Sequence, residues 1–284
     1  MNELDALARL LATTLKERKE TIAVAESSAG GLISAAMLSV PGASAYFLGG
    51  GVRVGRIAAQ IERWAPDAVA LCEFRATPPS LELARSLATL GLAYQCTTAE
   101  PSLPSANRLF IATRFPMRRL RLRVGPGDPG RLLLLASVEA PEPLTLGAMH
   151  VPNRVTGRKD LFYAAVLTLL GRWRRGPTML LGDTNSGRPG LDEETRVFGP
   201  REDAWLSGLE QSGWLDAFRL LRGTARAYTW YSPNGGNGFR LDQAFVNDQL
   251  RPRLRDVRYD WGRPVGRQGG RLSDHAALLV DLQR

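Results

Sequence analysis

The sequence predicts an α+β layered fold, and three observations point to it. Short apolar segments bounded by Pro/Gly turns recur along most of the 284 residues. Helical periodicities interrupt them occasionally instead of alternating with them. A chain with 44% hydrophobic and 23% charged residues also has the balance of a globule able to bury a sizeable core. That composition excludes disordered, collagen-like and coiled-coil architectures. No apolar run approaches the roughly 20 residues of a membrane span, and the start Met-Asn-Glu-Leu-Asp is acidic, unlike a secretory signal. Only Cys72 and Cys96 are present, too few for a disulfide framework and without metal-site spacing. A cytoplasmic protein is the expectation.

The elements follow in order. Leu4, Leu7, Leu11 and Leu15 lie at helical spacing across residues 3–18, with charges between them. Residues 21–26 read as a short buried strand. Ser27–Gly31 is a small-residue turn opening a second helix, with Leu32, Ile33, Ala36, Met37 and Val40 on its apolar face and Pro41-Gly42 as its stop. Residues 46–51 read as a strand running into three glycines. Ile57, Ile61 and Trp64 then predict a helix closed before Pro66, and residues 68–74 a buried strand with one carboxylate near its far end. Ser80 is the expected N-cap of a helix ending at Gly91. Residues 107–113, 119–124, 131–138 and 145–150 read as strands, and 158–173 as a helix. Residues 178–183 form a strand ending in Asp183-Thr-Asn185; 201–213 are helical, with Gly213 at the stop. Residues 240–246 and 276–282 supply the last strands.

Thirty-seven basic against 28 acidic residues give a net charge of +9, nearly all of it arginine. Residues 108–131 carry seven Arg and one Asp, and 251–271 carry seven Arg and two Asp. Clustered Arg suits a phosphate or polyanion through bidentate hydrogen bonds; a solvated surface explains such runs equally well.

Polar groups at the ends of hydrophobic strands are held rigidly and share a rim, which favours catalysis. Five such places occur: Glu73, His150, Asp183 with Asn185, Asp242, and Asp274 with His275. The chain has two histidines, and both fall in these clusters. These groups suit phosphoester hydrolysis. Glu73 and Asp274 supply carboxylate oxygens for a hard cation. Asp183 can align water while Asn185 donates to a phosphate oxygen. Asp242 with His275 makes an acid/base pair, the carboxylate fixing the imidazole tautomer.

The segments Ala70-Leu-Cys-Glu73, Met149-His-Val-Pro-Asn153, Leu181-Gly-Asp-Thr-Asn185, Arg240-Leu-Asp242 and Ser273-Asp-His275 occur in the order of the endonuclease/exonuclease/phosphatase superfamily, which the chain resembles over residues 52–284. The resemblance implies a four-layer α/β/β/α sandwich of two mixed β-sheets flanked by helices, with an N-terminal αβα fragment preceding it. It implies a phosphoester substrate, with nucleic acid among the candidates, and Mg²⁺ or Mn²⁺ as cofactor. By this likeness Glu73 and Asp274 serve the metal, Asp183 and Asn185 position water and phosphate, His150 contacts phosphate, and Asp242 orients His275. The base is left open between Asp183 and His275. Where the family usually has Gln before the Glu, this chain has Cys72, and where it has Phe between Asp and Asn, this chain has Thr184. The family's first strand, with an Asn that helps hold metal and phosphate, has no counterpart before Arg56–Trp64; Ala45-Tyr-Phe-Leu48 stands in its place without an amide. Weakened activity is the expectation.

Residues 1–50 have a separate likeness. Ala25-Glu-Ser-Ser-Ala-Gly-Gly-Leu32 and Val40-Pro-Gly-Ala-Ser-Ala-Tyr-Phe-Leu-Gly-Gly50 resemble the start of the nicotinamide-nucleotide amidase domain of competence-damage-inducible proteins. That resemblance implies a nucleophile at Ser27 and a Lys after the Gly-Gly strand. No Lys lies between residues 20 and 158, and a serine without a base is a poor nucleophile. Ser27 is therefore read as a helix cap. An amidase remnant or a non-catalytic chimera is the alternative to a phosphoesterase.

Overall fold

The computed structural model describes residues 3–18, 51–121, 130–153, 156–233, 235–263 and 272–283. Its elements are α1 (Glu3–Arg18), α2 (Gly51–Trp64), β1 (Ala68–Phe74), α3 (Pro78–Thr89), β2 (Tyr94–Thr97), β3 (Arg108–Thr113), β4 (Met117–Arg119), β5 (Leu133–Val138) and β6 (Leu144–His150). They continue with α4 (Lys159–Gly171), β7 (Thr178–Asp183), α5 (Pro200–Gln211), β8 (Trp214–Asp216), α6 (Ala217–Arg222), β9 (Trp230–Tyr231), β10 (Gly238–Phe239), β11 (Asp242–Asn247), β12 (Leu254–Asp260) and β13 (Ala277–Leu282). The strand expected at 21–26, the turn at Ser27 and the helix after it lie outside the described residues, as does most of the strand expected at 46–51.

Four layers result, because alternate residues of each strand face opposite ways. One sheet has six strands in the order β4-β5-β6-β7-β11-β8, antiparallel except for the parallel pair β6–β7. Its outer face carries Leu133, Leu135, Leu180 and Phe245, which pack with Phe162, Val166 and Leu170 of α4 and Trp205, Leu206 and Leu209 of α5. Its inner face carries Leu134, Leu146, Ala148, Met179, Ala244 and Val246, packed on Leu109 and Ile111 of β3 and Val257 of β12. On the far side of β3, Phe110 and Ala112 meet Val54, Ala58 and Ile61 of α2 and Leu83 and Leu87 of α3. Each of the Val, Leu, Ile, Phe and Met side chains among them contributes about 1.5–3 kcal/mol of apolar burial. The second sheet is described in two antiparallel pieces, β1-β3-β2 and β12-β13.

Several boundaries differ from the sequence reading. Helix α2 begins at Gly51, so the glycine expected to close a strand opens a helix instead. Helix α3 begins at Pro78 with Thr77 as N-cap, because proline at the first helical position lacks an N–H that would have no intrahelical partner anyway. Ser80 lies inside its first turn and accepts a hydrogen bond from Arg75 N at 3.4 Å. The strand expected from Arg240 begins at Asp242, since Arg240 N donates to Asp192 O and Leu241 N to Thr229 Oγ1, both at 2.9 Å. β12 went unread within the Arg-rich stretch; there Arg258 is an ion-pair partner of Asp256 and Asp281 on the strand pair's exposed face.

The parallel pair β6–β7 closes on a glycine. Gly182 has φ 146°, and a Cβ there would stand 1.9 Å from Met149 O. Gly182→Ala is expected to pry the two strands apart and to cost about 2–4 kcal/mol of unfolding free energy. A urea midpoint equal to that of the parent would refute this.

Candidate active site

Strands β6, β7 and β11 end together. The register places His150 beside Asp183 and Asp183 beside Asp242, so three polar groups occupy adjacent strand ends. His150 Nε2 is 3.5 Å from Asp183 Oδ2. Its Nδ1 is buried and, among the described residues, without a hydrogen-bond partner. Asp242 Oδ2 lies 2.8 Å from His275 Nδ1. His275 is brought there by an antiparallel bridge to Trp230 and by the bond from Ala276 N to Thr229 O at 2.8 Å.

The turn after β7 is tied on every side. Asn185 takes φ 44°, and its N–H donates to Asp183 Oδ1 at 2.8 Å. Its side-chain amide donates to Val151 O at 2.8 Å and approaches Asp183 Oδ2 at 3.3 Å. The amide expected to reach a phosphate oxygen thus also braces the neighbouring carboxylate. Lys159, buried at the start of α4, donates from Nζ to Asn185 O at 2.7 Å and to Glu202 Oε1 at 3.2 Å. Thr184 is fully buried, with Oγ1 2.8 Å from both Leu241 O and Ser186 O. A hydroxyl therefore serves this turn where the family has a Phe.

Glu73 sits at a bulge: the β1–β3 register shifts between Leu71 and Phe74, and Glu73 takes φ 57°. Such bulges re-aim side chains beside functional sites. Asn107 Nδ2 donates to Glu73 Oε1 at 2.9 Å, and Arg75 Nε donates to Asn107 Oδ1 at 2.7 Å. Asp274 is exposed in the segment before β13. Glu73, Asp183, Asp242, Asp274 and His275 all line one cavity of about 1600 Å³. His150 and Asn185 touch Asp183 beside it, so the seven residues singled out in the sequence gather in one region. Among the described residues, no three His, Cys, Asp or Glu side chains form a ready-made metal cluster. The donors suit Mg²⁺ or Mn²⁺ nonetheless, because a hard cation of this type takes one or two carboxylates and keeps its waters.

The electrostatics follow from burial and crowding. Burial, then the charge of Asp242, pushes Asp183 up to about 6 against the opposing pull of His150, His275 and the Asn185 N–H. For His275 burial favours the neutral ring, but the hydrogen bond and charge of Asp242, aided by Asp183 and Asp274, raise it to about 9. At neutral pH the site therefore holds an imidazolium between carboxylates. Cys72, whose Sγ donates to Met149 O at 3.3 Å, is driven far above the ordinary thiol range by burial and then by Asp183. It is an inert filler of the position where the family has Gln.

Sequence reasoning missed the supports. Arg240 is completely buried; its Nε donates to Asp192 Oδ1 at 2.7 Å and its Nη2 to Asp216 Oδ2 at 2.6 Å. Tyr259 OH donates to Asp242 O at 2.8 Å. The Arg240 signal was present in the Arg-Leu-Asp segment, whereas Lys159, Asn107 and Tyr259 gave none. Trp230 is half-buried against Phe239 and beside the His275 ring, and Tyr231 is exposed. Ser27 lies outside the described residues.

A model of the Endonuclease/Exonuclease/phosphatase family matches residues 43–275, and a model of the CinA C-terminal domain matches residues 4–55. The CinA-like protein of Thermotoga maritima is 46% identical over 46 residues, 16% of this chain and 11% of that protein. The CinA-like protein of a Sulfurihydrogenibium species is 58% identical over 36 residues, 13% of this chain and 9% of that protein. The chain thus spans about a tenth of the length of the curated relatives it matches. Among solved structures, the 3′ phosphatase NExo from Neisseria bound to product DNA hairpin is similar with TM-score 0.67 and 21% identity, over 82% of this chain and 95% of that one. An AP endonuclease from Archaeoglobus fulgidus is similar with TM-score 0.67 and 16% identity, over 81% and 93% of the two chains. At these identities the structures establish the shared fold.

Because His275 is held protonated by its native partner, its bonus is complete below the ordinary histidine value of 6.5 and is lost as pH rises through about 9. In the metal-free protein, NMR is expected to find the His275 midpoint near 9, and Asp242→Asn is expected to return it toward 6.5. A midpoint unmoved by that substitution would show that Asp242 does not set the charge.

Proposed function

The chain belongs to the endonuclease/exonuclease/phosphatase family, and on that premise we propose that it is a divalent-metal-dependent hydrolase of phosphoester bonds. The observation that carries this reading is the meeting of His150, Asp183 and Asp242 on adjacent strand ends, with His275 on Asp242. Glu73 and Asp274 would hold Mg²⁺ or Mn²⁺, which when bound neutralises charge on the phosphoryl oxygens.

The chain's own residues divide the remaining work. Asp183, half-ionised near pH 6, is a carboxylate at neutral pH and takes the proton of the attacking water. Asn185 fixes that carboxylate from both its backbone and its side-chain amide. His275, raised to about 9 by its bond to Asp242, carries a proton at neutral pH in the metal-free protein; its remaining N–H faces charge developing on the phosphoryl group. Asp242 keeps that ring charged and oriented. His150 lies on the opposite side of Asp183 and makes its contact with phosphate from there. The absence of a first-strand Asn removes one preorganised donor, which costs on the order of 10²–10³ in rate, so slow turnover is expected.

Nucleic acid is the substrate class favoured. Arg118, Arg119 and Arg121, in and just after β4, are each exposed, and a similar fold is found in the 3′ phosphatase NExo bound to product DNA hairpin. A nuclease of this kind loses affinity steeply with salt, because phosphate contacts release counterions.

Bis-p-nitrophenyl phosphate with Mg²⁺ or Mn²⁺ tests the reading. The folded parent is expected to hydrolyse it, Asp183→Ala to lose about 10²-fold or more, and chelation to abolish the reaction. A parent rate no higher than that of Asp183→Ala would end the proposal.

A further inference from the structure

Asp242 and His275 stand 33 residues apart in the chain. Asp242 opens β11 in the six-stranded sheet, whereas His275 lies just before β13, which pairs with β12. Thr229 is fully buried and bonds to both segments. Its Oγ1 accepts hydrogen bonds from Leu241 N at 2.9 Å and Asp242 N at 3.1 Å, and approaches Phe239 O at 3.5 Å. Its own N–H donates to Phe239 O at 2.8 Å, and its carbonyl accepts from Ala276 N at 2.8 Å. Trp230, next in the chain, forms the bridge to His275. One residue therefore grips Asp242 through its side chain and the neighbour of His275 through its main chain.

An aspartate side chain is short, so its oxygens follow the backbone that carries them. Tyr259 holds the carbonyl of Asp242 and Thr229 its N–H, so the residue is fixed at both ends. Without the Thr229 hydroxyl, the Leu241 and Asp242 donors lose a buried acceptor, and a buried N–H left unpaired is costly enough to shift its backbone. A misplacement of about 1 Å between groups that act together can cost on the order of 10²-fold in rate.

We propose that Thr229 is the positioning residue of the Asp242–His275 pair, its hydroxyl setting the backbone of the carboxylate and its carbonyl the segment that carries the imidazole. Thr229 does not line the active-site cavity, so it acts through those two residues. The consequence for turnover rests on the hydrolase reading; the hydrogen bond between Asp242 and His275 does not.

NMR of the metal-free full chain reads that bond directly. A His275 Nδ1–H held by Asp242 gives a downfield proton resonance slow to exchange with water, assigned by its loss in His275→Gln. The resonance is expected in the parent and in Thr229→Ser, which keeps the hydroxyl. In Thr229→Val it is expected to vanish or to exchange about 10-fold faster or more. The Trp214 indole N–H, bonded to Leu170 O, stays in place as the sign of an intact core. A resonance unchanged in folded Thr229→Val overturns the proposal. Should that variant not fold, the parent decides: amides of Leu241, Asp242 and Ala276 are expected to exchange about 10-fold or more slowly than in a free peptide, and free-peptide rates overturn it. With bis-p-nitrophenyl phosphate, Thr229→Val is expected to lose about 10-fold or more in kcat with KM within about threefold of the parent, and Thr229→Ser to recover most of the loss. A kcat equal to that of the parent overturns the proposal too. A parent without hydrolysis ends the hydrolase reading, and the resonance alone then decides for Thr229.

Discussion

Asp183 and Asp242 face each other across the β7–β11 pair, and much of the surrounding structure offsets their repulsion. Like charges directly opposite one another weaken a sheet. Here the register leaves no escape, since slipping either strand by one residue would exchange its two buried faces and unmake both sets of packing contacts. Phe245 and Leu180 are locked against the outer helices, and Val246 and Met179 against the other sheet. The compensation comes from the sides: His275 bonds Asp242, His150 flanks Asp183, and the Asn185 N–H closes on Asp183. The crowding that costs stability also raises Asp183 toward neutrality and keeps His275 charged, a pairing of shifted groups common at reactive sites.

A second tier of buried charge holds the backbone beneath those side chains. Arg240, Asp192 and Asp216 have side chains at 0%, 0% and 8% exposure, so the guanidinium must find both carboxylates or remain uncompensated. Asp216 also caps α6 by accepting from Phe218 N and Arg219 N. One network therefore ties the residues before β11 to the loop at Asp192 and the helix after β8. Burying such a network adds little net stability, but it tolerates a single arrangement, and Asp242 begins two residues beyond it. Lys159 acts likewise on the other strand end, holding the carbonyl of Asn185 in its left-handed turn.

The sequence made the strand-end residues legible because each follows a short apolar run, and rigid strands deliver their last side chains to a shared rim. Strands β3, β5, β6, β7 and β13 were readable for the same reason. β12 was not, because Arg255, Asp256 and Arg258 mask its alternation and its ion pairs form across to β13. α6 is too short for periodicity and depends on the cap at Asp216. Glu73 was found as a carboxylate, but the bulge that aims it is a register event between two strands 34 residues apart and leaves no local mark. Lys159 and Asn107 act through contacts with distant backbone and side chains, which no spacing rule encodes.

The distribution of these groups over the two sheets has a consequence of its own. His150, Asp183 and Asp242 belong to one continuous six-stranded sheet, with helices packed on one face and the second sheet on the other. The proposed metal carboxylates do not: Glu73 lies on the piece β1-β3-β2, and Asp274 precedes β13 on the other piece. His150, Asp183 and Asp242 thus rest on a frame fixed by its own hydrogen bonds, whereas Glu73 and Asp274 lie on pieces that share no strand pairing among the described residues. A pair of carboxylates whose spacing is only loosely fixed binds a cation weakly, because the ion must do the ordering itself.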